Sequence, residues 1–65
     1  MIEYRRRKSS DTWHWCTNCT NWPKDGEDYS TYCGNTSDRP SSGELDNECL
    51  SKERDNNCST KDCSK

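Results

Sequence analysis

Trp13-His14-Trp15-Cys16-Thr17-Asn18-Cys19 is the stretch on which the fold turns. Two cysteines three positions apart around a tight turn can place both sulfurs on one tetrahedral ion, with Zn–S near about 2.3 Å. The alternation of aromatic side chains with His14 and Cys16 suits a short strand leading into that turn. Tyr29-Ser30-Thr31-Tyr32-Cys33 reads as a second strand, and Pro23-Lys24-Asp25-Gly26 between them has turn chemistry. A short hairpin over residues 13–33 carrying a metal knuckle is therefore expected.

A single pair of cysteines does not close a site. Cys49 stands in the first turns of a helix expected over about residues 43–55. There Ser41 and Glu44 have the spacing of a capping box, and the helix stops at Asn56-Asn57. Three residues before Cys49, where a second knuckle has its first cysteine, the chain carries Asp46, a permitted but uncommon zinc ligand. Cys33, followed by Gly34, competes for the same fourth position. The expected ligand set is Cys16, Cys19, Cys49 and Cys33, with Asp46 as the alternative fourth ligand. Cys58 and Cys63, with four residues between them in a polar tail, rank behind them. His14 would share a strand face with Cys16. A lone histidine there is more often a packed ring than a ligand.

Composition explains why a staple is needed at all. Only 25% of the 65 residues are apolar, no Phe is present, and the mean hydropathy is −1.56. Burial in so small and polar a chain does not offset roughly 1–2 kcal/mol of backbone entropy per residue. Six cysteines point to metal or disulfide cross-links. The charged start, Met1-Ile2-Glu3-Tyr4-Arg5-Arg6-Arg7-Lys8, is not followed by an apolar run, so a cytoplasmic, reducing location and a metal are expected over disulfides.

The net charge of −2 is uneven: the first eight residues carry +3 and the remainder −5. Residues 1–10 are expected to be a flexible basic arm, residues 11–55 the zinc-binding domain, and residues 56–65 a loose tail. Arg5, Arg6 and Arg7 could meet phosphates, and Trp13, Trp15 and Trp22 could stack on bases or a protein partner. The plainer expectations are a solvated charge run and an aromatic mini-core.

The run Asp11 to Cys19, then Asn21-Trp22-Pro23, Arg39-Pro40 and Gly43-Glu44-Leu45-Asp46-Asn47-Glu48-Cys49, resembles small uncharacterised bacterial proteins of the zinc-ribbon type. In those, a knuckle preceded by aromatics is followed by a Gly-Glu-apolar step into a second Cys-x-x-Cys. The likeness spans about residues 11–49 and departs at Asp46. It implies a fold and a metal, and no activity.

The expected protein is thus a small metal-stabilised α+β chain, zinc-ribbon or treble-clef-like: a hairpin with a knuckle, then one short helix. One structural Zn²⁺ would support contact with a protein or RNA partner. Neither a membrane association nor a small-molecule substrate is expected. Catalysis is not expected either, since no βαβ context surrounds Cys16-x-x-Cys19 and no cleft suits a catalytic zinc. The alternative is a secreted three-disulfide mini-protein, a toxin, inhibitor or signalling peptide, with fifteen possible pairings.

Overall fold

A computed structural model describes residues 1–63. In chain order the elements are β1 (Ile2–Arg7), β2 (Thr12–Trp13), β3 (Tyr29–Gly34), β4 (Glu44–Leu45) and one helix, α1 (Asn47–Arg54). The chain is a small α+β structure with two two-stranded sheets.

The expected flexible arm is instead the central strand. β1 pairs antiparallel with β3, with Tyr4 opposite Tyr32 and Arg5 opposite Thr31. Its other edge exchanges hydrogen bonds with His14, Arg5 N–H to His14 O and His14 N–H to Arg5 O at 2.8 Å each. Further along that edge, the Glu3 amide bonds the Lys61 carbonyl at 2.9 Å. The charge run concealed a period of two. Tyr4 and Arg6 face one way, and Tyr4 packs on Trp15 (centroids 5.5 Å apart) and Tyr32 (5.9 Å). Arg5 and Arg7 face the other way, with Arg5 between the rings of Trp22 and Tyr29, 4.6 and 4.4 Å from their centroids.

The hairpin expected over 13–33 does not form, because β3 takes β1 as its partner. β2 instead lies parallel to β4, Thr12 opposite Glu44 and Trp13 opposite Leu45. Glu44 and Leu45 are therefore strand, not the first helical turn. Gly43 makes the entry possible: its φ is +80°, and a side chain there would run into the Asp11 carbonyl. The Glu44 amide then bonds Asp11 O at 2.7 Å and the Asp46 amide bonds Trp13 O at 3.0 Å. With those donors committed to the sheet, the helix starts late. Asp46, not Ser41, is its N-cap, accepting from the Cys49 amide at 3.0 Å. The helix ends as expected near Asn56, which takes the left-handed conformation (φ 57°).

The segment expected as a loose tail is docked over its described part; Ser64 and Lys65 lie outside the described residues. Disulfides join Cys16 to Cys58 and Cys33 to Cys63, with Cα atoms 5.0 and 6.0 Å apart. The core they bracket is aromatic and sulfur-rich: Tyr4, Trp13, Trp15, Trp22, Cys16, Cys19 and Cys49, all buried, with the half-buried Ile2, Tyr32, Leu45 and Cys58 packed on its margin.

Candidate metal centre

The parallel β2–β4 ladder fixes where two site residues emerge. Strands running the same way and ending at paired residues deliver their next residues side by side. The next residues are His14 and Asp46, and His14 Nδ1 lies 3.6 Å from Asp46 Oδ2. Three residues beyond Asp46, one helical turn returns Cys49 to the same place. The turn after Cys16, closed by Cys19 N–H to Cys16 O at 3.0 Å, brings in Cys19 from the other side. Glu48 holds this turn to the helix, accepting from the Thr20 amide and hydroxyl at 3.0 and 3.2 Å.

Four donor atoms result, one each from His14, Cys19, Asp46 and Cys49, all within 4.8 Å of one another. His14 Nδ1 is 3.7 Å from Cys19 Sγ, and Cys19 Sγ is 3.4 Å from Asp46 Oδ2. A tetrahedral zinc with ordinary Zn–S, Zn–N and Zn–O bonds has edges of about 3.3–3.6 Å between unlike donors. The three edges just given fall within a few tenths of an ångström of that range.

The electrostatics are those of a dry, polar pocket. Burial pushes the Cys19 thiol up to about 12, although the Asn21 amide, donating to the sulfur, works the other way. Burial likewise raises Cys49, against amide donors from Cys16 and Trp15. Burial lowers His14, so its imidazole is held neutral, with a lone pair to offer. Burial works to raise Asp46 too, but the Cys49 amide and the Cys19 thiol donate to its carboxylate and hold it below its ordinary value. Both sulfurs thus keep their protons while no cation is bound, and each has a backbone donor placed to stabilise the thiolate a cation would create.

The sequence-derived set is only partly assembled here. Cys19 and Cys49 belong to the group, as does Asp46. Cys16 does not: its sulfur is bonded to Cys58 and lies 3.5 Å from the Cys49 carbonyl oxygen, adjoining the group without joining it. Cys33 is remote, on β3 opposite Glu3, bonded to Cys63. Both differ from expectation for one reason. The tail returns across the molecule, with the Thr17 amide on Ser59 O at 2.6 Å and the Cys63 amide on Met1 O at 3.1 Å, and delivers a sulfur to each. With Asp46 in the fourth position, His14 stands where Cys16 was expected. The signal for it was its place one residue past a strand that ends level with the strand before Asp46.

The expected contact residues are structural. Trp13, Trp15 and Trp22 are all buried, and the indole N–H groups of Trp13 and Trp15 are committed to Ser42 O (2.8 Å) and Glu53 Oε2 (3.1 Å). Arg5 is paired with Glu3 and Asp25, Arg6 with Asp11, and Arg7 with Glu27. Among the described residues, these side chains form neither a stacking platform nor a free basic arm. No helix among the described residues is long and apolar enough to cross a membrane. Comparison with family models, curated proteins and solved structures finds no match for this chain.

Proposed function

We propose that this chain is a small zinc-binding module in which His14, Cys19, Asp46 and Cys49 hold one structural ion. The convergence of those four donor atoms within 4.8 Å carries the reading. Four protein ligands fill a tetrahedral shell and leave no position for a substrate or an activated water, which favours a structural over a catalytic ion. The amide donors on both sulfurs suit thiolates. The ion would tie the end of β2, the Cys16–Cys19 turn and the start of α1 together where a hydrophobic core of this size is thin. The resulting body fits a scaffold for a protein partner better than for RNA, since its net charge is −2 and its arginines are already paired.

The two disulfides favour an oxidising compartment over the cytoplasm. They also favour one specific second reading, the three-disulfide mini-protein, in which Cys19 and Cys49 form the third bond. Intact mass separates the two. Under native conditions the zinc reading expects a chain four hydrogens short, carrying one zinc that is lost on acidification. A chain six hydrogens short, with no metal after zinc has been supplied during refolding, would refute it.

A further inference from the structure

On the Arg5 side of β1, a cleft of about 310 Å³ is lined by Arg5, Trp22, Lys24, Asp25 and Lys61. Three separate stretches build it: the central strand, the turn after Trp22, and the returning tail. The position of the tail is fixed by the Glu3 amide on the Lys61 carbonyl.

Arg5 is its floor. The side chain is 6% exposed, clamped between the rings of Trp22 and Tyr29. Its Nε donates to Glu3 Oε2 at 2.5 Å and its Nη1 to Pro23 O at 2.7 Å. The remaining nitrogen, Nη2, faces Asp25 Oδ1 at 3.2 Å, and the Asp25 side chain is 91% exposed. The Tyr29 hydroxyl also donates to Asp25 Oδ1, at 3.3 Å. An immobile guanidinium edge and a hydroxyl thus meet at one point, covered only by a surface carboxylate on a turn. Above them stand Lys24 and Lys61, both exposed and neither in an ion pair among the described residues. With Glu3 and Asp25 counted against Arg5, Lys24 and Lys61, the cleft is positive by one charge in a protein whose net charge is −2.

We infer that this cleft binds the phosphate group of a small phosphate monoester. Asp25 marks the position of the anion: its Oδ1 lies 3.2 Å from Arg5 Nη2 and accepts from the Tyr29 hydroxyl, the two groups that a phosphate oxygen would meet in its place. The two lysines supply charge for the other oxygens, as point charges on flexible stems. The cleft is near the lower end of ligand-pocket volumes and larger than a phosphate alone. The surplus volume suits a small organic group, and Trp22 lines the same cleft. The cleft shares no residue with the metal group.

The test is a titration of the folded, metal-loaded chain with sodium phosphate, then ribose 5-phosphate, at ionic strength matched with sodium chloride. The Arg5 Nε–H and Trp22 indole N–H resonances report binding. We expect saturable shifts of both, with the ester binding more tightly than phosphate. Lys24→Ala and Lys61→Ala should each weaken binding by roughly 1.5–5-fold, as for an exposed charge pair. Asp25→Asn, which removes the competing carboxylate, should tighten it by a similar factor. Shifts that chloride reproduces at equal ionic strength would overturn the inference. So would an Asp25→Asn variant with unchanged affinity, or a double lysine variant that binds phosphate as the parent does.

Discussion

Asp46 carries two duties that can be separated by one atom. Its carboxylate caps α1 through the Cys49 amide, and it is one of the four donors of the proposed metal group. Asn caps a helix about as well as Asp, whereas Ala forfeits about 0.5–2 kcal/mol, typically ~1. An amide is a poor substitute for a carboxylate as a zinc ligand. Outer-shell changes alone cost roughly 10–100-fold in affinity, so about 100-fold is a conservative figure for a direct ligand. If free zinc is buffered at about 1,000 times the parent Kd, the ion stabilises the parent by about 4.1 kcal/mol, and a hundredfold weaker site by about 1.4. Asp46→Asn should therefore be nearly neutral in excess EDTA and about 2.7 kcal/mol destabilised in zinc. Asp46→Ala should be about 1 kcal/mol destabilised in EDTA and about 3.7 in zinc. Urea unfolding followed by tryptophan fluorescence reads all six conditions, with both disulfides intact throughout. If Asp46→Asn loses equally little with and without zinc, Asp46 is a cap and nothing more. If zinc leaves the parent unchanged, the metal reading itself fails.

Further outcomes follow from features remote from that group. Arg7, and after it the Lys24 amide, hold the Glu27 carboxyl at about 2 against an ordinary 4.5. Because the folded value is the lower one, Glu27 adds stability above its unfolded value, and that contribution fades as pH falls from about 4.5 toward about 2. Acid unfolding of Glu27→Gln should differ from the parent at neutral pH and converge with it across that window; a constant offset would contradict the pairing. Gly34→Ala should destabilise by roughly 1–3 kcal/mol in urea melts, because the new methyl meets the Asp38 carbonyl and the Tyr32 ring. A neutral result would mean the Asn35–Asp38 turn can move aside. Replacing Cys33 and Cys63 together by Ser opens a closure spanning 30 residues, with an expected loss of roughly 3–4 kcal/mol. The number of zinc ions bound, read by native mass, should stay the same; a loss of zinc would return Cys33 to the ligand set.

Much of the site was legible because ligand chemistry is local. Cys19 announces itself in a Cys-x-x-Cys turn, and Asp46 and Cys49 share one helical turn, so each residue type and spacing points to a metal. Which sulfurs join which site is a non-local matter. Cys16 and Cys19 have identical local credentials, and only the arrival of Cys58 assigns Cys16 to a disulfide. The central strand was hidden for another reason. In Ile2–Arg7 the alternation is carried by Tyr4 and by arginines whose stems and guanidinium planes cover aromatic rings, and a hydropathy reading counts them as solvated charge. The helix was legible in its second half. Its start was misplaced because Ser41 and Glu44 mimic a capping box, while the Glu44 amide that Ser41 would have capped bonds Asp11 O and Glu44–Leu45 pair with β2.

The returning tail has a bearing on the order of events when the chain first folds. The Cys16–Cys19 turn leans on a segment far along the sequence: the Thr17 hydroxyl bonds Ser59 O, 42 residues away, and the Asn18 side chain bonds Asn57 O and receives the Ser59 amide. β1, at one end of the chain, waits for β3 and then for Lys61. Contacts of such long range form late and slowly, since each must close a large loop before it gains anything. During synthesis, a nascent chain that has emerged only as far as the helix holds all four donor residues but lacks the brace for the turn that carries Cys19. On the proposed zinc reading, ion capture would then come near the end of folding, and the fraction of molecules carrying zinc would serve as a gauge of how many have finished.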